Sequence, residues 1–203
     1  MKILHIDSSF NDEFSVTRHL SGEVVRKLKE SGNYEEVTYR DVVKDEIHHL
    51  SANIAAGFRP VPGKEHSTEE EGNERLLSEI LLKEFLASDV VVIGAPMYNF
   101  SVPTQLKSWL DRLAQPGKTF RYTATGPEGL SGGKKIIIAS ARGGFYEKTP
   151  MAGMDFQEKY LQTFFGFLGI TDVVFIRAEG VSRGEEIKQQ EIAKACLSIN
   201  EIL

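Results

Sequence analysis

Five short strand-like stretches alternate with stretches of helical periodicity, and this alternation is the strongest constraint on the fold. The clearest is the apolar run DVVVIGA, residues 89–95; KILHIDS, KKIIIASA and DVVFIRAEG are also largely apolar, and EEVTYRDV is a second, shorter and more polar strand. Strands that are buried on both faces have such continuous apolar runs, and they occur in parallel sheets. The sequence therefore predicts an α/β protein with a five-stranded parallel sheet and helices on both faces, in three layers.

Helical patterns connect and follow the predicted strands. Apolar residues recur at helical spacing between Ser15 and Ser31, and Thr68 with Glu71 has the spacing of a capping box at a second helix start. Three more helices are predicted: one from near Pro103, one over residues 155–168 and one over residues 185–202. The segment KTFRYTATGPEG predicts a hairpin or an extended excursion. No repeat or linker divides the chain, so we expect a single domain, residues 1–203.

The overall charge excludes several classes of protein. The formal net charge is -5 and the pI is about 5.6, which argues against binding to nucleic acid or to an anionic membrane. No run of eighteen apolar residues predicts a membrane span, and MKILHIDSS predicts a strand and not a signal peptide. The single cysteine, Cys196, excludes an intrachain disulfide and is expected to be a small buried residue. We therefore expect a cytoplasmic protein.

The loop after the first strand lacks the glycines of a dinucleotide-binding turn. No glycine lies between Ile6 and Leu20, although such a turn needs glycine for close approach to a pyrophosphate. The loop instead offers hydroxyls at the start of a helix: Ser8, Ser9, Ser15 and Thr17. Hydroxyls and free amides at a helix N-terminus suit a single phosphate. The alternative is that Ser15 only caps the helix.

The loop after DVVVIGA has the composition of a site for a planar ring. Met97, Tyr98, Asn99 and Phe100 supply flat apolar surface, an amide and backbone donors. Ligands of open α/β sheets bind beyond the carboxyl ends of the strands, which is where this loop lies. The alternative is an aromatic turn that packs as a satellite of the core.

A third strand end carries Arg142, Gly143 and Gly144. Adjacent glycines allow successive amides to converge as an anion-binding nest, which would face a ring carbonyl and stabilise negative charge. The alternative is a flexible exit from the strand. A phosphate site, a ring-holding loop and a nest on three strand ends are together typical of a flavin mononucleotide (FMN) site of flavodoxin type.

Four motifs closely resemble the FMN-dependent NADH-azoreductase family: APMYNFSVPTQLKSWLDRL, TFRYTATGPEGL, ARGGFY and FFGFLGITDV. The resemblance covers nearly the whole chain in order, and a wider relationship to flavodoxin-like quinone reductases is also indicated. It implies a flavodoxin-like fold and an FMN-dependent NADH:quinone oxidoreductase and azoreductase. It further implies a homodimer with one tightly bound FMN per subunit, active sites at the interface, NADH as donor, and quinones or azo compounds as acceptors in ping-pong turnover.

The resemblance also implies roles for particular residues. Phosphate contacts fall on Ser9, Ser15, Val16 and Thr17. Contacts to the isoalloxazine ring fall on Met97, Tyr98, Asn99, Phe100, Ala141, Arg142, Gly143 and Gly144, where Ala141 replaces a serine that is common in the family. Substrate contacts fall on Arg59, Phe100, Tyr122 and Phe167. No catalytic side chain and no metal is implied, since FMN carries the chemistry.

Several expectations stay open at this point. Phe164 and Phe165 share the helical stripe of Phe167, and we expect them to pack in the core or in a dimer. Tyr146 stands where some relatives carry histidine, which bears on substrate preference. The main alternative function is a flavodoxin-type electron carrier without its own small-molecule acceptor, and another is a domain that has lost the cofactor.

Overall fold

The computed structural model describes residues 1–34, 36–64 and 68–202. Glu35, at the start of the predicted stretch EEVTYRDV, and residues 65–67, at the start of the acidic stretch before the second long helix, lie outside them. The described strands are β1 (Lys2–Asp7), β2 (Glu36–Asp41), β3 (Val90–Pro96), β4 (Phe120–Thr123), β5 (Gly126–Gly129), β6 (Lys135–Ala141) and β7 (Asp172–Ala178). The described helices are α1 (Val16–Glu30), α2 (Ala52–Ala55), α3 (Glu69–Ala87), α4 (Thr104–Leu113), α5 (Gln157–Phe167) and α6 (Glu185–Ile202).

Five strands form one sheet in the order β2-β1-β3-β6-β7, and every pair of neighbours is parallel. The predicted fold class is therefore confirmed, and the order is that of flavodoxin-like doubly wound sheets. The chain moves outward from β1 to β2 and then returns to the other side of β1 with β3. The order of the strands reverses between β1 and β3, which is where such sheets bind ligands at their carboxyl ends.

Helices cover both faces of the sheet, as the sequence predicts. Successive residues of a strand face opposite sides, so the buried residues of β3 divide between two apolar clusters. Val91 and Ile93 pack with α3, α4 and α5, whereas Val90 and Val92 pack with α1 and α6. All seven residues of β3 are buried, which explains its continuous apolar run.

Local signals in the sequence correctly predict where several helices and strands begin or end. The predicted capping box begins α3: the Thr68 hydroxyl accepts from the Glu71 amide at 3.2 Å, and the Glu71 carboxylate accepts from the Thr68 amide at 2.9 Å. The predicted hairpin is β4 with β5, paired antiparallel. The helix expected from residue 155 begins instead at Gln157, since a 3-10 turn, Pro150–Met154, precedes it. None of the described helices is long and apolar enough to cross a membrane.

The β4–β5 hairpin is held against the end of α5. The Ser131 amide donates to the Leu168 carbonyl at 2.9 Å, and the Phe120 and Phe167 rings lie 4.6 Å apart. Gly129 makes the closest approach, because a Cβ built on it would lie 2.0 Å from the Gly169 nitrogen. Only glycine at this position lets the hairpin backbone meet the turn after α5.

We expect Gly129→Ala to lower the free energy of unfolding by about 3 kcal/mol, because the new methyl group overlaps backbone that has no room to move. The melting temperature should fall by roughly 6–12 °C for a chain of this size. Thermal unfolding followed by circular dichroism measures the change. Gly72→Ala in α3 is the matched control, since its Cβ would meet nothing within 4 Å and should be neutral or stabilising. Equal melting temperatures for the two variants would contradict the packing described.

Candidate functional site

A cavity of about 410 Å³ opens at the carboxyl ends of β1, β3, β6 and β7. Its volume lies within the range of about 300–1,000 Å³ that is usual for small-molecule sites. Its lining residues are Ser9, Asn11, Phe14, Ser15, Val16, Thr17, Pro96, Met97, Tyr98, Ala141, Gly143, Val181, Ser182 and Lys188. The structure thus brings together residues from all three loops that the sequence analysis singled out.

The start of α1 presents hydroxyls and unpaired amides to this cavity. Ser15 is the N-cap of α1, since its hydroxyl accepts from the Arg18 amide at 3.2 Å and lies 3.1 Å from the Thr17 hydroxyl. Ser15 therefore caps α1, and its hydroxyl also lies in the lining of the cavity. The Val16 and Thr17 amides have no acceptor among the residues that the structure describes. They lie at the positive end of the helix dipole, so this corner of the cavity favours an anion.

Arg18 fixes the loop between β1 and α1 from behind. Its guanidinium donates to the Ser9 carbonyl at 2.7 and 3.2 Å and to both carboxylate oxygens of Asp41 at 2.7 and 2.9 Å. Burial alone would raise the pKa of Asp41, but the hydrogen bond from Arg18 and those from the Val43 and Lys44 amides hold that pKa below its usual value. Sequence reasoning missed Arg18, because its carboxylate partner, Asp41, comes from β2.

The loop after β3 is a strained two-residue turn. Tyr98 and Ser101 exchange backbone hydrogen bonds of 3.0 Å in both directions, and Asn99 and Phe100 between them have φ of 48° and 69°. Positive φ at both central residues is the geometry of a type I′ turn, which asparagine tolerates but phenylalanine rarely adopts. Such strain costs of order 1–3 kcal/mol and is concentrated at functional sites. The Phe100 carbonyl accepts from the Phe156 amide at 3.1 Å, which helps to hold the turn.

Tyr98 connects the β3 loop with the β1 loop. Its hydroxyl lies 3.3 Å from the Ser9 hydroxyl, and its ring stacks on Phe10 with centroids 4.4 Å apart. The Met97 amide donates to the Ala141 carbonyl at 2.8 Å, which connects the same loop with β6. The predicted ring-holding residues are therefore fixed from two sides.

The glycine pair after β6 does not form the predicted nest. Gly143 and Gly144 both have negative φ, so they lack the alternation of right- and left-handed residues that builds such a concavity. Their amides nevertheless have no acceptor among the described residues. Gly143 packs closely against Ser182, since a Cβ there would lie 2.8 Å from the Ser182 hydroxyl oxygen.

The Arg142 side chain is buried, and its guanidinium is paired with carboxylates. Its guanidinium donates to Asp155 at 2.6 Å, to Ser140 at 2.8 Å and to Glu158, and it lies 3.4 Å from Glu179. Arg142 is 2% exposed and does not line the cavity. Any contact of Arg142 with a ligand in the cavity is therefore left to its backbone.

Glu179 shapes the loop that follows β6. Its carboxylate accepts from the Tyr146 amide at 3.0 Å and the Glu147 amide at 3.1 Å, and the Gly180 amide donates to the Gly144 carbonyl at 2.9 Å. The segments after β6 and β7 are thus joined along their length. This pairing explains why Val181 and Ser182 line the cavity. The sequence analysis placed the site at three strand ends, and β7 supplies a fourth.

The predicted substrate residues lie outside the lining of the cavity. Tyr122, on the hairpin, is 75% exposed and Phe100 is 40% exposed, whereas Phe167 is half-buried against Phe120. Arg59 is exposed in the turn after α2, where its amide donates to the Ala55 carbonyl at 3.0 Å. A single copy of the chain does not bring these residues together with the cavity.

Two neighbours of Phe167 differ in environment. Phe165 is fully buried, which confirms core packing for that residue. Phe164 is half-buried and packs against the same cluster, with its ring 5.5 Å from Phe165. Tyr146 lies with its ring 5.8 Å from the Arg142 guanidinium, so it packs against the charged cluster beneath the β6 loop.

Comparison with known proteins gives one consistent family. The family model for the flavodoxin-like fold matches residues 1–203. The FMN-dependent NADH:quinone oxidoreductase 2 of Xanthomonas axonopodis pv. citri (strain 306) is 55% identical, with 100% of this chain and 94% of that protein covered. The FMN-dependent NADH:quinone oxidoreductase of Ralstonia nicotianae is 49% identical over 100% of this chain and 97% of its own length.

Solved structures agree with these relatives. An azoreductase from Bacillus anthracis str. Sterne superposes with a TM-score of 0.85 at 31% identity and covers 99% of both chains. An FMN-dependent NADH-azoreductase from Bacillus anthracis str. Ames Ancestor, in complex with FMN, has a TM-score of 0.85 at 25% identity, with 99% of this chain and 98% of that chain covered. The chain therefore belongs to the flavodoxin-like family of FMN-dependent NADH:quinone oxidoreductases and NADH-azoreductases that its motifs predicted.

Proposed function

We propose that the chain is an FMN-dependent NADH:quinone oxidoreductase that also cleaves azo compounds to amines, and that residues 1–203 are one FMN-binding domain. The observation that carries this proposal is the lining of the cavity. Buried hydroxyls and unpaired amides lie on its α1 side, and the apolar surfaces of Met97 and Tyr98 lie on its β3 side. This lining fits a flavin that ends in a phosphate. The names of the relatives support an enzyme with NADH and quinone as substrates, and not an electron carrier.

The site residues divide between the two ends of the cofactor. Ser9, Ser15, Val16 and Thr17 would hold the phosphate through hydroxyls and the free amides of α1. The turn at Met97, Tyr98, Asn99 and Phe100, and the backbone of Ala141, Arg142, Gly143 and Gly144, would hold the ring. Bound FMN supplies two-electron hydride transfer from NADH to an acceptor, and the protein supplies position and electrostatics.

The chain's own groups act on the ring by orientation and charge. The segment that carries the Gly143 and Gly144 amides is held by two backbone hydrogen bonds: the Gly144 carbonyl accepts from the Gly180 amide at 2.9 Å, and the Gly143 carbonyl accepts from the Ser182 amide at 3.3 Å. Preorganised donors of this kind stabilise negative charge that develops on a ring, without reorganisation during the reaction. No side chain of the cavity is needed as a general acid in this account, and solvent supplies the proton.

The substrate contacts require a second copy of the chain. Large apolar side chains are exposed along the segment that follows the β6 loop and beside the β3 turn: Phe100, Phe145, Met151, Met154 and Phe156. Clusters of exposed apolar groups mark interfaces. A homodimer would cover them and would bring Arg59, Tyr122 and Phe167 to an active site at the interface, where Phe100 contacts the substrate. The acidic charge and the single cysteine support a cytoplasmic location.

Steady-state kinetics test the proposed activity. With NADH and a quinone varied together, we expect ping-pong behaviour, because one open site serves the donor and the acceptor in turn. Double-reciprocal plots should give parallel lines, and NADH oxidation should depend on protein-bound FMN. Oxidation no faster than with free FMN at the same concentration would contradict the proposal.

The double variant Ser15→Ala with Thr17→Ala should raise the dissociation constant of FMN about thirtyfold. Each lost hydroxyl removes a hydrogen bond of roughly 1 kcal/mol from a phosphate held in a buried corner. Fluorescence titration of the flavin-free chain measures the change. Ser51→Ala is the matched control, because Ser51 caps the short helix α2 and does not line the cavity. Unchanged FMN affinity in the double variant would leave Ser15 as a helix cap only.

A further inference from the structure

One positive charge lies in the lining of the cavity. Among the described residues that line it, Lys188 is the only charged side chain, and the others are apolar or carry neutral polar groups. The chain as a whole has a net charge of -5, whereas the charge in the cavity lining is positive. The lining is therefore opposite in charge to the molecule as a whole. Sequence reasoning did not include Lys188, since it treated the start of α1 as sufficient for an anion.

Lys188 reaches the cavity because α6 lies beside α1. Both helices pack on the same face of the sheet, where Val16 at the start of α1 and Val181 just before α6 belong to one apolar cluster. The first turns of the two helices therefore approach the same corner. Lys188 stands on the first full turn of α6, and its amide donates to the Gly184 carbonyl at 3.0 Å. Because Lys188 stands on a regular helix, the direction of its side chain from the backbone is fixed more firmly than it would be on a loop.

Its nearest acidic neighbour does not neutralise Lys188. The ammonium lies 3.5 Å from the Glu185 carboxylate, which is 69% exposed and already accepts a hydrogen bond from Gln189 at 2.7 Å. Exposed pairs of this kind contribute little. The Lys188 side chain is itself only 30% exposed, compared with 75% for Lys194 two turns later on the same helix. The Lys188 side chain is therefore mostly withdrawn from solvent, and it has no strong partner among the residues that the structure describes.

We propose that Lys188 binds the phosphate of FMN and so makes the cavity selective for phosphorylated flavin over riboflavin. This inference rests on the proposed function, and it adds α6 to a cofactor site otherwise built from α1 and the β3 and β6 loops. A phosphate monoester carries a charge of about −1.5 to −2 at neutral pH, whereas Ser9, Ser15, Thr17 and the α1 amides are neutral donors. Lys188 supplies the missing countercharge as a flexible point charge.

The test compares two flavins that differ only in the phosphate. Dissociation constants of FMN and riboflavin are measured by fluorescence titration for the flavin-free wild-type chain, Lys188→Met and Lys188→Arg. We expect Lys188→Met to weaken FMN about tenfold or more, as for loss of a charge-assisted hydrogen bond, and to leave riboflavin within about twofold. Lys188→Arg should restore most of the FMN affinity. The dissociation constant of FMN should also rise more steeply with salt concentration for the wild type than for Lys188→Met.

Lys194→Met is the matched control, since it removes a lysine from the same helix at an exposed position. It should leave both constants unchanged. Unchanged FMN affinity in Lys188→Met, or an equal loss for FMN and riboflavin, would overturn the proposal, because neither result is a phosphate effect. A wild-type chain that binds neither flavin would instead overturn the proposed function on which it rests.

Discussion

The parallel hydrogen bonding of β1, β3, β6 and β7 determines where every part of the candidate site lies. The register pairs Pro96 with Ala141, so β3 and β6 end at the same level, and it pairs Asp7 with Gly94, so β1 ends two residues earlier on the same edge. The loops that leave this edge, residues 8–15, 97–103 and 142–156, therefore all begin beside one another. The hydroxyls of the β1 loop, the strained β3 turn and the glycines after β6 meet because the strands that precede them are in register.

The fold was predictable because its signals are local. The continuous apolar run of β3 and the Thr68 capping box each require knowledge of a few neighbouring residues, and both predictions are confirmed. The elements of the site were predictable for a similar reason, since hydroxyls, aromatics and glycines follow recognisable strands. The details were not predictable. The carboxylates around Arg142 come from the segment before α5, from α5 itself and from the end of β7, and the reach of Lys188 depends on how α6 packs beside α1. No pattern within one loop carries such information.

The site is rigid on its inner side and open on its outer side. Arg18 with Asp41, and Arg142 with Asp155, Glu158 and Glu179, tie the β1 and β6 loops to the sheet through charged hydrogen bonds. Removing one partner of such a buried pair typically costs about 3–5 kcal/mol, so these loops have little freedom. The outer side carries exposed aromatic rings instead. This division suits a cofactor that stays in place while donor and acceptor exchange at its exposed face.

The most direct test of this account is to follow the two half-reactions separately. FMN-loaded protein is mixed with NADH in the absence of oxygen while the flavin absorbance is recorded, and a quinone is then added. The account predicts rapid bleaching by NADH and rapid recovery with the quinone. Bound FMN that NADH does not bleach would contradict it and would indicate a carrier that another protein reduces.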